Sequence, residues 1–169
     1  VPGAPGSETQ SIAAVSADDV FTICWTSGTT GTPKGVPRSH NQWLAQTLAV
    51  IETGVEPGMT MLCPFPMVNM ASLAGFFFPW LRCRGTLVLH HPLDLPVFLG
   101  QIEAEQVAYT IAPPALLNML LKQRELMDRF DLSSLRLVAS GSAPLAPWMV
   151  REFQQEYGIT VVNIFGSNE

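Results

Sequence analysis

The chain has 169 residues, a formal net charge of −5 and 47% hydrophobic residues, a size near the ~100–200 of one domain and a composition able to build a substantial core. Its 9 lysines and arginines are scattered rather than striped, which argues against a nucleic-acid partner. The richest apolar stretch, 73–81, is shorter than the ~20 residues of a membrane-spanning helix and is interrupted by Gly75 and Pro79, so no transmembrane segment is expected.

Residues 1–19, rich in Pro, Gly, Ser and Ala without periodicity, read as a linker or a crossing segment. The apolar run 20–25 reads as a buried strand, and a hydroxyl- and glycine-rich loop follows at 26–35. Leu44, Leu48 and Ile51 at helical spacing predict a helix over 41–53, and 59–63 reads as a strand. The alternation continues with a helix over 71–81, a strand at 86–90, a helix over 95–104 opened by Pro96, and a strand at 107–111. Pro113 and Pro114 open a helix over 115–124, and 135–139 reads as a strand. The helix over 147–157 carries Met149, Val150, Phe153 and Tyr157 on one face, before a strand at 160–164. Parallel neighbours need crossovers, so this alternation predicts an α/β fold, a doubly wound, mostly parallel sheet with helices on both faces. In such sheets ligands bind beyond the carboxyl ends of the strands, where the segments after 25, 139 and 164 are expected to gather.

The 26–35 loop is the densest chemical signal in the chain. Gly28, Gly31 and Gly35 allow backbone conformations that expose N–H groups to an anion, while Thr26, Ser27, Thr29, Thr30 and Thr32 add neutral donors. Pro33 stiffens the exit, and Lys34 supplies a compact positive charge. A solvated loop is the ordinary reading of such composition, but here every position is a donor, a turn residue or the cation, and a strand feeds it. The spacing is not that of a Walker A loop, because Pro33 precedes Lys34 and Gly35 follows it.

Residues 26–35 resemble the signature loop of the adenylate-forming superfamily, which includes acyl-CoA synthetases, aryl-CoA ligases, luciferases and peptide-synthetase adenylation domains. The resemblance implies a loop between two strands, with 36–39 as the returning strand, that holds the outer phosphates of ATP. Two further segments follow in the family's order. Gly141, Ser142, Ala143 and Pro144 resemble the adenine-pocket segment of acyl-CoA ligases, although a plain strand-to-helix turn has the same composition. Phe165, Gly166, Asn168 and Glu169 resemble the family's aromatic-Gly-x-Thr-Glu motif, which implies an aromatic ring near adenine, a phosphate contact and a Mg²⁺ ligand. Asn168 departs from the threonine, and its amide can still donate to a phosphate oxygen. Glu169 is the hard oxygen ligand that Mg²⁺ prefers. Asn69 stands where relatives carry a histidine or aromatic residue near the acyl pocket, which leaves Met67, Met70 and Phe76 as candidate walls for an apolar acid.

The resemblance thus implies ATP-dependent activation of a fatty or aryl acid, Lys34 and Glu169 catalytic, followed by thioester formation with coenzyme A. It covers 20–169 as part of an AMP-binding domain of a longer parent chain, so the 169 residues alone are expected not to turn over. A nucleotide-binding module or a non-catalytic relative is the alternative. Cys24, Cys63 and Cys83 form no metal or disulfide pattern, and His40, His90 and His91 no metal spacing. Free thiols suit a reducing cytoplasm, and no transition metal is expected.

Overall fold

The computed structural model describes residues 14–26 and 31–167, so Ser27, Gly28, Thr29, Thr30, Asn168 and Glu169 lie outside the described residues. Five strands, β3 (Thr60–Cys63), β4 (Thr86–Leu89), β5 (Tyr109–Ile111), β6 (Leu137–Ser140) and β7 (Thr160–Asn163), form one sheet in the order β4-β3-β5-β6-β7. All of its neighbours are parallel. The α/β, doubly wound architecture is therefore present.

Period-two alternation builds two cores, one on each face of the sheet. Leu62 and Val138 point into a cluster with Phe98, Leu117 and Phe153. Met61, Cys63, Tyr109, Ile111, Leu137 and Ala139 point into the other. The first face is covered by α4 (Leu95–Ala104), α5 (Pro114–Lys122) and α7 (Pro147–Tyr157), with the short α6 (Arg124–Met127) contributing Met127. The second is covered by the end of α1 (His40–Glu52) and by one continuous helical run made of α2 (Met70–Ser72), a π-helical turn (Leu73–Phe77) and α3 (Phe78–Cys83). Progress from β3 to β4 goes one way and from β3 to β5 the other. Right-handed crossovers therefore put their helices on opposite faces, and β3/β5 is the switch point.

The predicted helix over 71–81 is thus not uniform. Pro79 has no N–H to donate and its ring clashes with the carbonyl four residues back, and the chain widens by one residue instead of breaking. The N–H of Phe78 reaches the carbonyl of Leu73, five residues away. The helix expected over 115–124 ends at Lys122, and α6 was not anticipated. The strand expected at 107–111 is shortened to Tyr109–Ile111: the Val107 N–H bonds back to the Ile102 carbonyl of α4, although Ala108 already bonds to Thr60 and to the start of β6.

The largest departure is at the N-terminal side. The run expected to be a buried strand is β1 (Val20–Thr26), largely exposed and outside the parallel sheet. It pairs antiparallel with β2 (Lys34–Ser39) as a separate hairpin. This is the pair of strands that the resemblance implies, not the leading strand of the sheet.

Candidate active site at the carboxyl edge

The hairpin is tied down from its base upward. Ser39 caps α1 in a reciprocal box, its Oγ accepting from the Gln42 N–H at 3.4 Å while Gln42 Oε1 accepts from the Ser39 N–H at 2.8 Å. Trp43, 2% exposed, donates its indole N–H to Thr22 Oγ1 at 2.9 Å, and the Arg38 guanidinium lies 5.6 Å above its ring. The turn before β1 is joined to the same helix, Asn41 donating to Asp18 Oδ1 at 2.8 Å. Phe21 packs on Phe78 at 5.9 Å, and Cys24 Sγ meets Met70 Sδ at 3.4 Å. Met70 opens the helical run that leaves the carboxyl end of β3, and Phe78 lies further down it. β1 therefore climbs toward the carboxyl edge of the sheet, and its loop emerges there without belonging to it.

At the top of the hairpin Thr26 pairs with Lys34, so the cation stands at the mouth of the connection. Among the described residues Lys34 makes no ion pair. Gly31 has φ +92°, in the region that only glycine adopts cheaply, and a side chain there would meet nothing within 4 Å. Thr32 is exposed beside it. Gly35 does not serve as a turn residue. It sits within β2 opposite Trp25, and an added Cβ would lie 3.0 Å from Ile23 Cγ2 and 3.5 Å from the Trp25 ring, so its bareness makes room for side chains of the partner strand.

The second predicted segment lies where β6 and β7 end side by side, Ser140 registered with Asn163. The N–H of Ile164 donates to the Ser140 carbonyl at 2.7 Å, and a Cβ on Gly141 would fall 2.7 Å from the Ile164 carbonyl oxygen. Only glycine fits. Ser142 follows at φ +69°, a left-handed conformation that costs a non-glycine residue roughly 1–2 kcal/mol. Ala143 and Pro144 are exposed. Phe165 is 100% exposed and Gly166 has open space around it. Ser140 Oγ is buried with no hydrogen-bond partner among the described residues. The structure therefore brings Gly141, Ser142, Phe165 and Gly166 together, and separately Thr26 with Lys34 and Cys24 with Met70. Both groups occupy the same edge, on either side of β5.

The loop between β3 and α2 lies at the switch point. Asn69 Oδ1 accepts from the Ala71 N–H at 2.6 Å, so this side chain caps α2. Met67 is partly buried against the second core, and Phe76, 0% exposed, packs on Tyr109 at 5.6 Å. Phe76 is a core residue here rather than an exposed wall. β5 ends beside β3 and delivers Ala112 and Pro113 to the same edge, a placement that sequence reasoning did not assign to the site. In the sequence the paired prolines signal only a helix start.

Beneath this edge the Tyr109 phenol and the Cys63 thiol are held neutral by burial. Burial, with the Cys63 charge as a second cause, pushes the Tyr109 phenol well above its ordinary range. Burial likewise raises the Cys63 thiol, against the hydrogen bonds to Ser72 and to the Phe65 carbonyl. His90 Nε2 accepts from the Asp94 N–H at 3.0 Å, so Nδ1 carries the proton shared with Gln101 Oε1 at 2.6 Å, a satisfied structural histidine. The three cysteines are free. Among the described residues no cluster of His, Cys, Asp or Glu could hold a metal, and no helix is long and apolar enough to cross a membrane.

The family model described as "AMP-binding enzyme" matches residues 3–169. A probable CoA ligase, CCL5, from Humulus lupulus is 31% identical over 92% of this chain and 29% of its own length. An indoleacetate–CoA ligase from Aromatoleum aromaticum is 33% identical over 87% of this chain and 29% of its own length. Among solved structures, the inhibitor-bound N-terminal domain of FACL13 from Mycobacterium tuberculosis superposes with a TM-score of 0.81 at 27% identity. That match covers 94% of this chain and 39% of the FACL13 domain. The chain thus spans less than a third of the length of these curated relatives, and its homologues are CoA ligases.

Proposed function

Because this chain belongs to the AMP-binding enzyme family, we propose that it is the phosphate- and adenine-binding part of an ATP-dependent carboxylate–CoA ligase. The observation that carries the reading is the Thr26–Lys34 pair, which closes a donor-rich loop at the carboxyl edge with a cation at its mouth. The residues present fit a nucleotide. The exposed Phe165 ring offers a stacking face, Gly166 leaves open space beside it, and the 26–34 loop offers donors to phosphate.

A carboxylate is a poor electrophile, and its attack on the α-phosphate of ATP makes an acyl-adenylate and pyrophosphate, after which the coenzyme A thiol displaces AMP. The chain's own contribution is positioning and charge stabilisation. Thr26, Ser27, Gly28, Thr29, Thr30, Gly31 and Thr32 hold the outer phosphates, and Lys34 opposes the charge that grows on the departing pyrophosphate. Asn168 would donate to phosphate, and Glu169 would hold Mg²⁺, which supplies charge screening of the phosphate oxygens when bound. Asn69, through the amide nitrogen that capping leaves free, and Met70 border the acid at the β3 end. The acid is a fatty or aryl carboxylate, the protein acts in the cytoplasm, and the 169 residues alone do not turn over.

Carboxylate-dependent ATP–pyrophosphate exchange by the parent protein, with fatty and aryl acids offered separately, tests the reading. Exchange with one class names it. ATP binding without exchange returns the chain to the nucleotide-binding module, and thioester formation by the isolated 169 residues overturns the expectation of inactivity.

A further inference from the structure

Five polar side chains are buried among the described residues, and four of them are satisfied. Thr47 donates to the Trp43 carbonyl at 2.7 Å, Ser72 to the Pro66 carbonyl at 2.8 Å and Thr110 to the Leu62 carbonyl at 2.7 Å, while His90 is held by Gln101 and the Asp94 N–H. Ser140 is the fifth. It is 0% exposed, and its Oγ has no partner among the described residues. A hydroxyl so placed has lost its water without a replacement, a cost that points to a second conformation, a bound water or a ligand that supplies the missing bond. Its surroundings favour the first. Side chains alternate along β6, so Ser140 faces the same side as Val138, the side that α7 covers and toward which the turn 141–146 leads. In that turn Ser142 holds a left-handed φ of +69°, the kind of strain that collects at functional sites. Ser142 and Ala143 are exposed, and their N–H groups donate to no acceptor among the described residues. A serine hydroxyl readily accepts from the N–H two or three residues further on. Here the acceptor and both such donors stand in one turn without meeting, and the unmet bond falls beside the strained residue.

We propose that Ser140 is a positioning residue for the nucleotide: on ATP loading the 141–144 turn closes, Ser140 Oγ accepts the N–H of Ser142 or Ala143, and Ser142 leaves the left-handed region. The proposal rests on the reading of 141–144 as part of a nucleotide site. Closure draws on the packing of Leu145 against the first face, which holds the turn open in the ligand-free chain. Contacts with the nucleotide offset that loss, and the new bond to Ser140 returns part of it, so the hydroxyl acts on ATP affinity through the turn.

ATP binding to the parent enzyme and to its Ser140→Ala variant, with amide exchange read at Ser142 and Ala143, tests this. ATP is expected to slow exchange at one of these amides about tenfold in the wild type and to leave it nearly unchanged in the variant. The dissociation constant for ATP should rise about fivefold in the variant, as for the loss of one neutral hydrogen bond. Without nucleotide the variant should melt at a higher temperature, because it no longer buries an unpartnered hydroxyl. A hydroxyl that only packs would move the melting temperature alone, so the change in ATP affinity separates positioning from packing. An unchanged dissociation constant, or equal amide protection in both proteins, overturns the proposal and leaves the functional reading standing. A lower melting temperature of the ligand-free variant also overturns it, since that identifies a buried water as the standing partner of Ser140. A wild-type parent that binds no ATP sinks the functional reading and this proposal with it.

Discussion

A methyl group added at Gly141 would crowd the Ile164 carbonyl, a backbone atom that cannot swing aside, whereas one added at Gly166 would meet nothing within 4 Å. Gly141→Ala is therefore expected to destabilise the chain by about 1–3 kcal/mol, and Gly166→Ala by less than about 0.5 kcal/mol, as read by urea unfolding. Tyr109 gives a prediction in pH. Its phenol is raised in the folded state, so the native protein holds a proton that the unfolded chain releases above about pH 10. The resulting stability is fully present below that pH and is lost as pH rises toward the folded value. Buried Cys63 acts in the same direction from about pH 9. Unfolding free energy measured across the alkaline range should fall steeply in the wild type and less steeply in Tyr109→Phe.

The hairpin is held by a few specific contacts rather than by sheet membership, so it responds to single substitutions in α1. Trp43→Phe keeps the ring against Phe78, which it meets at 4.6 Å, and removes the donor to Thr22 Oγ1. It should cost about 1 kcal/mol and raise amide exchange in β1 more than in β6, measured by hydrogen exchange. This element is also where sequence reasoning failed most clearly. The run from Val20 to Trp25 is nearly all apolar, and such a run reads as buried on both faces when the second layer is not in view. The returning strand came only through the family resemblance, because the connection, 27–33, is too long for the short-turn signals that betray most hairpins. The π-helical turn was illegible for a related reason: Gly75 and Pro79 register as interruptions of an apolar stretch, but whether a helix breaks, kinks or widens at a proline depends on the neighbours packed around it.

At the scale of the molecule the sheet was legible because each crossover imposes its own punctuation. Pro96, Pro114 and Pro147 each stand within the first turn of a helix, and the strands between them carry β-branched and aromatic residues. The order of those strands was not legible, and with it the switch point that sets the 64–70 loop opposite Ala112 and Pro113. Of the three segments proposed for the site, only 26–35 was legible from its composition; those at 141–144 and 165–169 came with the family resemblance. Their grouping into a hairpin mouth with Lys34 and a β6–β7 end with Gly141 and Phe165 needed the register. The proposed function turns on the hairpin mouth holding the terminal phosphates of a nucleotide. The direct test is single-turnover adenylation by the parent enzyme with Lys34→Ala. Loss of a charged hydrogen bond of ~1.5–3 kcal/mol predicts a roughly tenfold to hundredfold fall in kcat/KM for ATP. An unchanged kcat/KM would contradict it.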